Sequence, residues 1–244
     1  MELKDRVVLV TGGAKRVGRS IALALAKRGA HVVITYRSSQ SEAEQVTQEI
    51  LSMGRKTLAI KADALRPADV TAAVARVIES FGRLDVLVNN AAAFPKTPWA
   101  TLNEKVWDET LDTNLKGPFL FAKAAGDQMK AQRSGKIINL ADWAGERPYK
   151  NYLPYCVSKA GVIALTKALA LELAPDVQVN AVAPGPVLLP EDIDEHEQKG
   201  VIAATPLRRI GSPEDVASAV IFLVEGSDFI TGAVLPVDGG RLIA

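Results

Sequence analysis

Val7-Val8-Leu9-Val10-Thr11-Gly12-Gly13-Ala14-Lys15-Arg16-Val17-Gly18 is the stretch from which the fold is read. Its first four residues are a continuous apolar run, the pattern of a strand buried on both faces in a parallel sheet. The glycines that follow permit a tight turn and a close backbone approach. Ile21, Leu23, Leu25 and Ala26 then sit among small residues in a helical stretch that stops at Gly29. Strand, glycine turn and helix, in that order, are the context of a dinucleotide fingerprint, in which unpaired N–H groups and the positive end of the helix dipole meet a pyrophosphate. On this reading Gly12, Lys15, Arg16, Val17 and Gly18 contact the cofactor. The alternative is an ordinary strand-to-helix turn.

Residues 31–36 read as the second strand, with Tyr36, Arg37 and Ser38 at its end. An acid placed there would hold a ribose 2′-hydroxyl and select NAD. Arg37 stands there instead, with Lys15 and Arg16 in the neighbouring turn. Guanidinium binds phosphate oxygens through a planar fork, so the cluster predicts NADP(H). Solvated surface cations are the other reading. A third strand at 57–61 delivers Asp63, a partner for the adenine amino group or a turn residue. Residues 66–81 have helical spacing.

The fourth strand is predicted at 84–88 and is closed by Asn89-Asn90-Ala91. Asparagines there bridge neighbouring strands or form turns; Asn90 and Ala91 are placed on the cofactor side. The loop 93–99 carries Phe94 and Trp99, rings that pack on the surface or stack on a planar ligand. Residues 101–132 are mostly helical and contain Asn114. A fifth strand at 136–140 puts Asp142 just past its end, where open α/β sheets place ligands. A long helix runs through 155–173, and a sixth strand at 177–182 leads to Pro184-Gly185-Pro186. Residues 187–204 are polar and acidic, and a connection of that length suits a lid. Ser212-Pro213-Glu214-Asp215 is a helix start. The last strand, 233–237, holds Pro236, which suits a sheet edge. With no linker or repeat, one domain over 1–244 is expected.

Composition narrows the function classes. The chain has 244 residues, 48% hydrophobic and 23% charged, with a net charge of +1. That suits one large α/β domain or two small ones and gives no basic surface for nucleic acid. Cys156 is alone, which excludes an internal disulfide and a cysteine zinc site. The only histidines, His31 and His196, assemble no triad or metal set. No signal-peptide pattern or membrane-length apolar run is present, so a soluble, cytoplasmic protein without a membrane partner is expected.

Tyr155 and Lys159 are four apart, which on a helix places phenol and ammonium on one face. A nearby cation favours phenolate and brings the phenol toward the working range of an acid–base catalyst. A packed Tyr beside a solvated Lys is the plainer reading. Cys156, next to Tyr155, reads as packing rather than as a nucleophile.

The turn 11–18, Asn89-Asn90-Ala91, Asn114, Tyr155-x-x-x-Lys159, Pro184-Gly185 and Asp238-Gly239-Gly240, in that order, resemble a short-chain dehydrogenase/reductase of the classical type over nearly the whole chain. The resemblance implies a Rossmann-type, doubly wound α/β/α fold of three layers around a seven-stranded parallel sheet. It implies Tyr155 as general acid, Lys159 on the nicotinamide ribose, Asn114 positioning a water in the proton relay, and Pro184 and Gly185 bordering the nicotinamide. It also implies a homotetramer built on the helices at 101–132 and 155–173.

Two positions depart from the family pattern. Asp142 stands where the family has a serine that hydrogen-bonds the substrate carbonyl, and Arg16 stands where the fingerprint has its middle glycine. An ionised Asp142 would repel a developing alkoxide, whereas a protonated one would donate. Both departures, with Phe94 and Arg37-Ser38, resemble the pteridine reductase branch. That likeness implies a substrate site of Arg16, Phe94, Asp142 and Tyr155, a small-molecule pterin or folate substrate, and hydride addition to C=N. The stretch 206–211 resembles 3-oxoacyl-carrier-protein reductases instead, the second expectation. A non-catalytic NADP-binding protein is the third.

Overall fold

The computed structural model describes residues 1–189 and 193–244. Seven strands form one parallel sheet: β1 (Val7–Val10), β2 (His31–Tyr36), β3 (Thr57–Lys61), β4 (Val86–Asn89), β5 (Gly135–Leu140), β6 (Val177–Pro184) and β7 (Val234–Val237). Their order is β3-β2-β1-β4-β5-β6-β7. The chain runs outward from β1 to β3, then crosses back to place β4 on the other side of β1. That reversal opens a crevice at the carboxyl ends of β1 and β4, the ligand position of doubly wound sheets.

The helices are α1 (Arg16–Lys27), α2 (Gln40–Ser52), α3 (Pro67–Phe81), α4 (Glu104–Leu111), α5 (Gly117–Gln132), α6 (Leu153–Glu172), α7 (Glu195–Ala203) and α8 (Pro213–Glu225). Strand alternation divides the core into two layers. Val8 and Val10 of β1 join α1, α2 and α8 in one cluster. Val7 and Leu9 join α3, α5 and the end of α6 in the other. The expected Rossmann-type three-layer fold is therefore present, and strands buried on both faces explain their unbroken apolar runs.

Three departures from the sequence reading have local causes. β4 starts at Val86 rather than 84 because Asp85 is fully buried and points its carboxylate sideways. It accepts the Val7 N–H at 2.9 Å and pairs with Arg83 and Arg6. The helical run 101–132 is interrupted by a π-helical stretch, Asp112–Lys116, where the Gly117 N–H returns to the Asp112 carbonyl. Pro118 explains it: proline has no N–H to give to Asn114 and its ring crowds that carbonyl. The expected irregular connection 187–204 contains α7, capped by Asp194 on the Glu197 N–H; residues 190–192 of that segment lie outside the described residues.

Other expectations meet the structure directly. Ser212 and Asp215 form a reciprocal capping box at the start of α8. Pro236 lies on β7, an edge strand, where its missing N–H costs no ladder bond. Among the described residues no helix is long and apolar enough to cross a membrane.

Candidate active site

A cleft of about 770 Å³ lies over the carboxyl ends of the central strands. Gly12, Lys15, Arg16, Val17, Gly18, Tyr36, Arg37, Ser38, Asp63, Asn90, Ala91, Phe94, Asp142, Tyr155, Lys159, Pro184 and Gly185 all line it. The fold thus brings together every predicted site residue but one.

The floor of the cleft is the glycine turn. Gly12 has φ +63°, a region costly for other residues. A Cβ on Gly18 would lie 2.3 Å from the Gly12 carbonyl oxygen. Asn90 fixes the turn by donating its side-chain amide to Thr11 O and Gly12 O, at 2.9 and 3.1 Å. It therefore bridges the ends of β4 and β1. Arg16 has φ +52°. That left-handed backbone, which glycine adopts freely, here carries a guanidinium, and it is strain held by its surroundings.

The first turn of α1 contains no acid, and Lys15, its N-cap, makes no capping bond through its side chain. The orphan N–H groups face an open crevice, which suits an anion. At the far end Arg37 and Ser38 are exposed. Lys15 pairs with Glu42 at 2.6 Å across the surface. Asp63 accepts the Leu65 N–H at 3.0 Å, so it is a turn residue as well as a cleft residue. A glycine cradle, a free helix start and Arg37 at the second strand's end together fit a dinucleotide cofactor.

At the other end the Tyr155 hydroxyl donates to Asp142 Oδ2 at 2.7 Å. Asp142 Oδ1 accepts the Ala144 N–H at 2.8 Å, which locks the carboxyl at the start of a short 3-10 turn. Burial raises the Asp142 carboxyl above its ordinary value, against the Ala144 hydrogen bond, the Lys159 charge and the Tyr155 hydrogen bond, which favour the ionised form. Burial and the neighbouring Asp142 hold the Tyr155 phenol well above its ordinary value. Burial takes Lys159 down to about 8.

These directions correct one expectation. Lys159 does not bring the phenol down. Its Nζ lies 5.6 Å from the Tyr155 ring centre and donates to the Leu140 carbonyl at 2.6 Å. The i,i+4 spacing sets both groups on one face, but the ammonium reaches past the ring to the last carbonyl of β5, and the phenol proton points at Asp142.

Asn114 is the predicted residue outside the cleft lining. It is buried in the π-helical stretch. Its carbonyl accepts the Ala93 N–H at 2.7 Å, and its amide donates to Ala93 O at 2.8 Å and Ser158 Oγ at 3.1 Å. It clamps the chain immediately before Phe94. Trp99, paired with Phe94 in the sequence reading, is 81% exposed and does not reach the cleft.

The sequence reading missed the aromatic wall. Phe94 stacks on Tyr152 at 4.4 Å and meets Tyr155 edge-on at 4.6 Å. Tyr152 touches Tyr149, which stacks on Trp143. A bridge between Thr97 and Tyr152 ties the Phe94 loop to this segment. The signal was present: aromatics are 5% of the chain, yet Trp143, Tyr149, Tyr152 and Tyr155 crowd into positions 143–155.

Comparison with known proteins follows the same line. Residues 12–241 match the family described as Enoyl-(Acyl carrier protein) reductase. The chain belongs to the short-chain dehydrogenase/reductase family. It is an oxidoreductase of that family, which overturns the expectation of a non-catalytic binding protein. The 3-oxoacyl-acyl-carrier-protein reductase FabG of Staphylococcus aureus is 40% identical, covering 95% of this chain and 96% of that one. The (2S)-(R)-hydroxy(phenyl)methylsuccinyl-CoA dehydrogenase subunit BbsD of Thauera aromatica is 38% identical, covering 99% and 98%. A Serratia marcescens short-chain dehydrogenase/reductase, solved as a double mutant, superposes with a TM-score of 0.93 at 34% identity, covering 99% and 100%. The FabG name agrees with the second expectation, carbonyl reduction, rather than with the pteridine reductase branch. Relatives of nearly equal identity carry different substrates in their names, so identity at this level leaves the substrate to be argued from the site.

Proposed function

We propose that the protein is an NADPH-dependent reductase of a C=N bond in a flat, polar heterocycle of the dihydropterin or dihydrofolate class. The observation that carries this reading is the hydrogen bond from the Tyr155 hydroxyl to Asp142. An ionised carboxylate at that position opposes the alkoxide of ketone reduction. A carboxylate that accepts from Tyr155 holds the phenolic proton at the reacting end of the cleft, and the reduced C=N nitrogen needs that proton.

In this mechanism Gly12, Gly18 and the N–H groups opening α1 hold the pyrophosphate, and Arg37 with Ser38 takes the 2′-phosphate. The nicotinamide, when bound, supplies the hydride. Pro184 and Gly185 would border its ring, and Lys159 would hold its ribose hydroxyls. Tyr155 would give its phenolic proton to the ring nitrogen and recover one from solvent, and Asp142, which accepts from that hydroxyl, would bind a donor on the polar ring edge. Phe94 packs on the ring face, and Arg16 reaches the phosphates or the substrate. Asn114 acts as a positioning residue through Ala93. Exposed Phe119 on α5 and Leu153, Val157 and Leu171 on α6 support a homotetramer joined through those helices.

Two substitutions test the reading. Asp142→Ser is expected to lower dihydropterin turnover by about a hundredfold or more, the usual scale of lost acid–base assistance, and to raise turnover of an acetoacetyl thioester. Undiminished pterin rates would remove Asp142 from the chemistry. Arg37→Ala is expected to weaken NADPH about tenfold to a hundredfold, the worth of charge-assisted phosphate bonds, while NADH changes little. Equal losses for both dinucleotides would remove Arg37 from 2′-phosphate recognition.

A second reading, reduction of a 3-oxoacyl thioester, is favoured by the FabG relative and by the stretch 206–211. It requires Asp142 to do the work of a neutral hydroxyl donor, so the Asp142→Ser comparison separates the two.

A further inference from the structure

The aromatic wall runs beyond the reacting end of the cleft. From Tyr155 it passes through Phe94, Tyr152 and Tyr149 to Trp143, with successive ring centres 4.4–5.4 Å apart. A two-ring head group at Tyr155 covers its inner part. Tyr149 and Trp143 extend past it, and both line the cleft.

The wall ends at Arg241, which also lines the cleft. Its guanidinium carbon lies 5.4 Å from the centre of the Trp143 ring system. One nitrogen, Nη1, donates to Ala204 O at 2.6 Å. The Arg241 carbonyl accepts from Arg147 Nη1 at 3.0 Å, which clips this segment onto the turn after Asp142. The guanidinium is therefore held by the Ala204 carbonyl and the Trp143 ring, and the Arg241 backbone by Arg147. Among the described residues neither Arg241 nor Arg147 makes an ion pair. The closest acid in sequence, Asp238, accepts the N–H groups of Gly240 and Leu242 with its two oxygens. A guanidinium has five donors, and a fixed fork on an indole face, with no carboxylate partner among the described residues, suits a planar anion.

We propose that Trp143, Tyr149 and Arg241 form an outer subsite for an anionic tail, a carboxylate or a phosphate, carried by the substrate. The inference rests on the reading that the Tyr155 end reduces the head group. Tyr149 and Trp143 pack on the flat or apolar part of the tail, and Arg241 takes its charge. On the pterin reading the tail is a glutamyl carboxylate; on the thioester reading it is a pantetheine phosphate.

Calorimetric titration of the NADP⁺-loaded protein with p-aminobenzoyl-glutamate and with pantetheine 4′-phosphate tests the subsite apart from the chemistry, since neither fragment has a reducible bond. One fragment is expected to bind, with affinity falling as salt is raised, because a half-buried guanidinium at the cleft mouth is still partly screened. Arg241→Met is expected to weaken that fragment about tenfold, the scale of a charge-assisted bond, and Arg241→Lys, which keeps charge without the fork, by less. Binding of the first fragment identifies a carboxylate tail, and of the second a phosphate tail. Binding of neither, or equal binding by native protein and a folded Arg241→Met, overturns the proposal. Absent pterin turnover would overturn the head-group reading and leave this result intact.

Discussion

Gly18→Ala is expected to lower NADPH affinity at least about a hundredfold, on the order of 3 kcal/mol. The methyl group would stand 2.3 Å from Gly12 O and 2.5 Å from Asn90 Nδ2. Neither neighbour is free to give way. Gly12 is held at φ +63°, and the Asn90 amide is committed to Thr11 O and Gly12 O. Relief requires the turn to move off the start of α1, which unseats the N–H groups that meet the pyrophosphate. The overpacking itself should cost about 1–3 kcal/mol of stability. Titration of NADPH fluorescence and a thermal melt check the two effects. A variant that binds NADPH as the native chain does would show that the cofactor does not use this cradle.

Lys159→Met is expected to abolish reduction while making the protein more stable. Lys159 is buried, its ammonium donating to one carbonyl, and burial brings its pKa down from 10.5 to about 8. The folded state therefore holds this proton less tightly than the unfolded chain. A depressed base of this kind weakens the fold fully below pH 8 and progressively less as pH rises toward 10.5. The penalty at pH 7 is about 3 kcal/mol, and loss of the bond to Leu140 O returns about 1 kcal/mol. The net gain of about 2 kcal/mol corresponds to roughly 4–8 °C in Tm for a chain of this size. Melts across pH 7–10.5 should show the advantage of the variant shrinking as pH rises. A variant less stable than the native chain at pH 7, or an advantage independent of pH, would contradict the burial penalty. Such a trade of stability for a functional charge is common at active sites.

Much of this was legible in the residues. Val7–Val10 and the glycine turn announced the sheet and the cleft floor because a strand buried on both faces needs a continuous apolar run, and a backbone brought against phosphate needs glycine. Gly12, Tyr36, Arg37, Asp63, Asn90, Asp142 and Pro184 lie at or just past strand ends, so predicting the strands placed them, whereas Tyr155 and Lys159 were placed by their spacing on α6. What stayed hidden depends on distances across the fold. Spacing put Tyr155 and Lys159 on one face, but not the Leu140 carbonyl that captures the ammonium. Spacing also did not show that the Asn114 side chain ties Ala93 to Ser158 from within a π-helical stretch. Trp143 and Arg241 are nearly a hundred residues apart, and only the fold sets them together.

The most direct test of the central claim, that Tyr155, with Asp142, protonates a C=N substrate, is NADPH oxidation by the purified protein with dihydrobiopterin, dihydrofolate and an acetoacetyl thioester side by side. Turnover of a dihydropterin or dihydrofolate with little or none of the thioester is the predicted result. Turnover of the thioester alone would contradict it, and would assign the protein to carbonyl reduction.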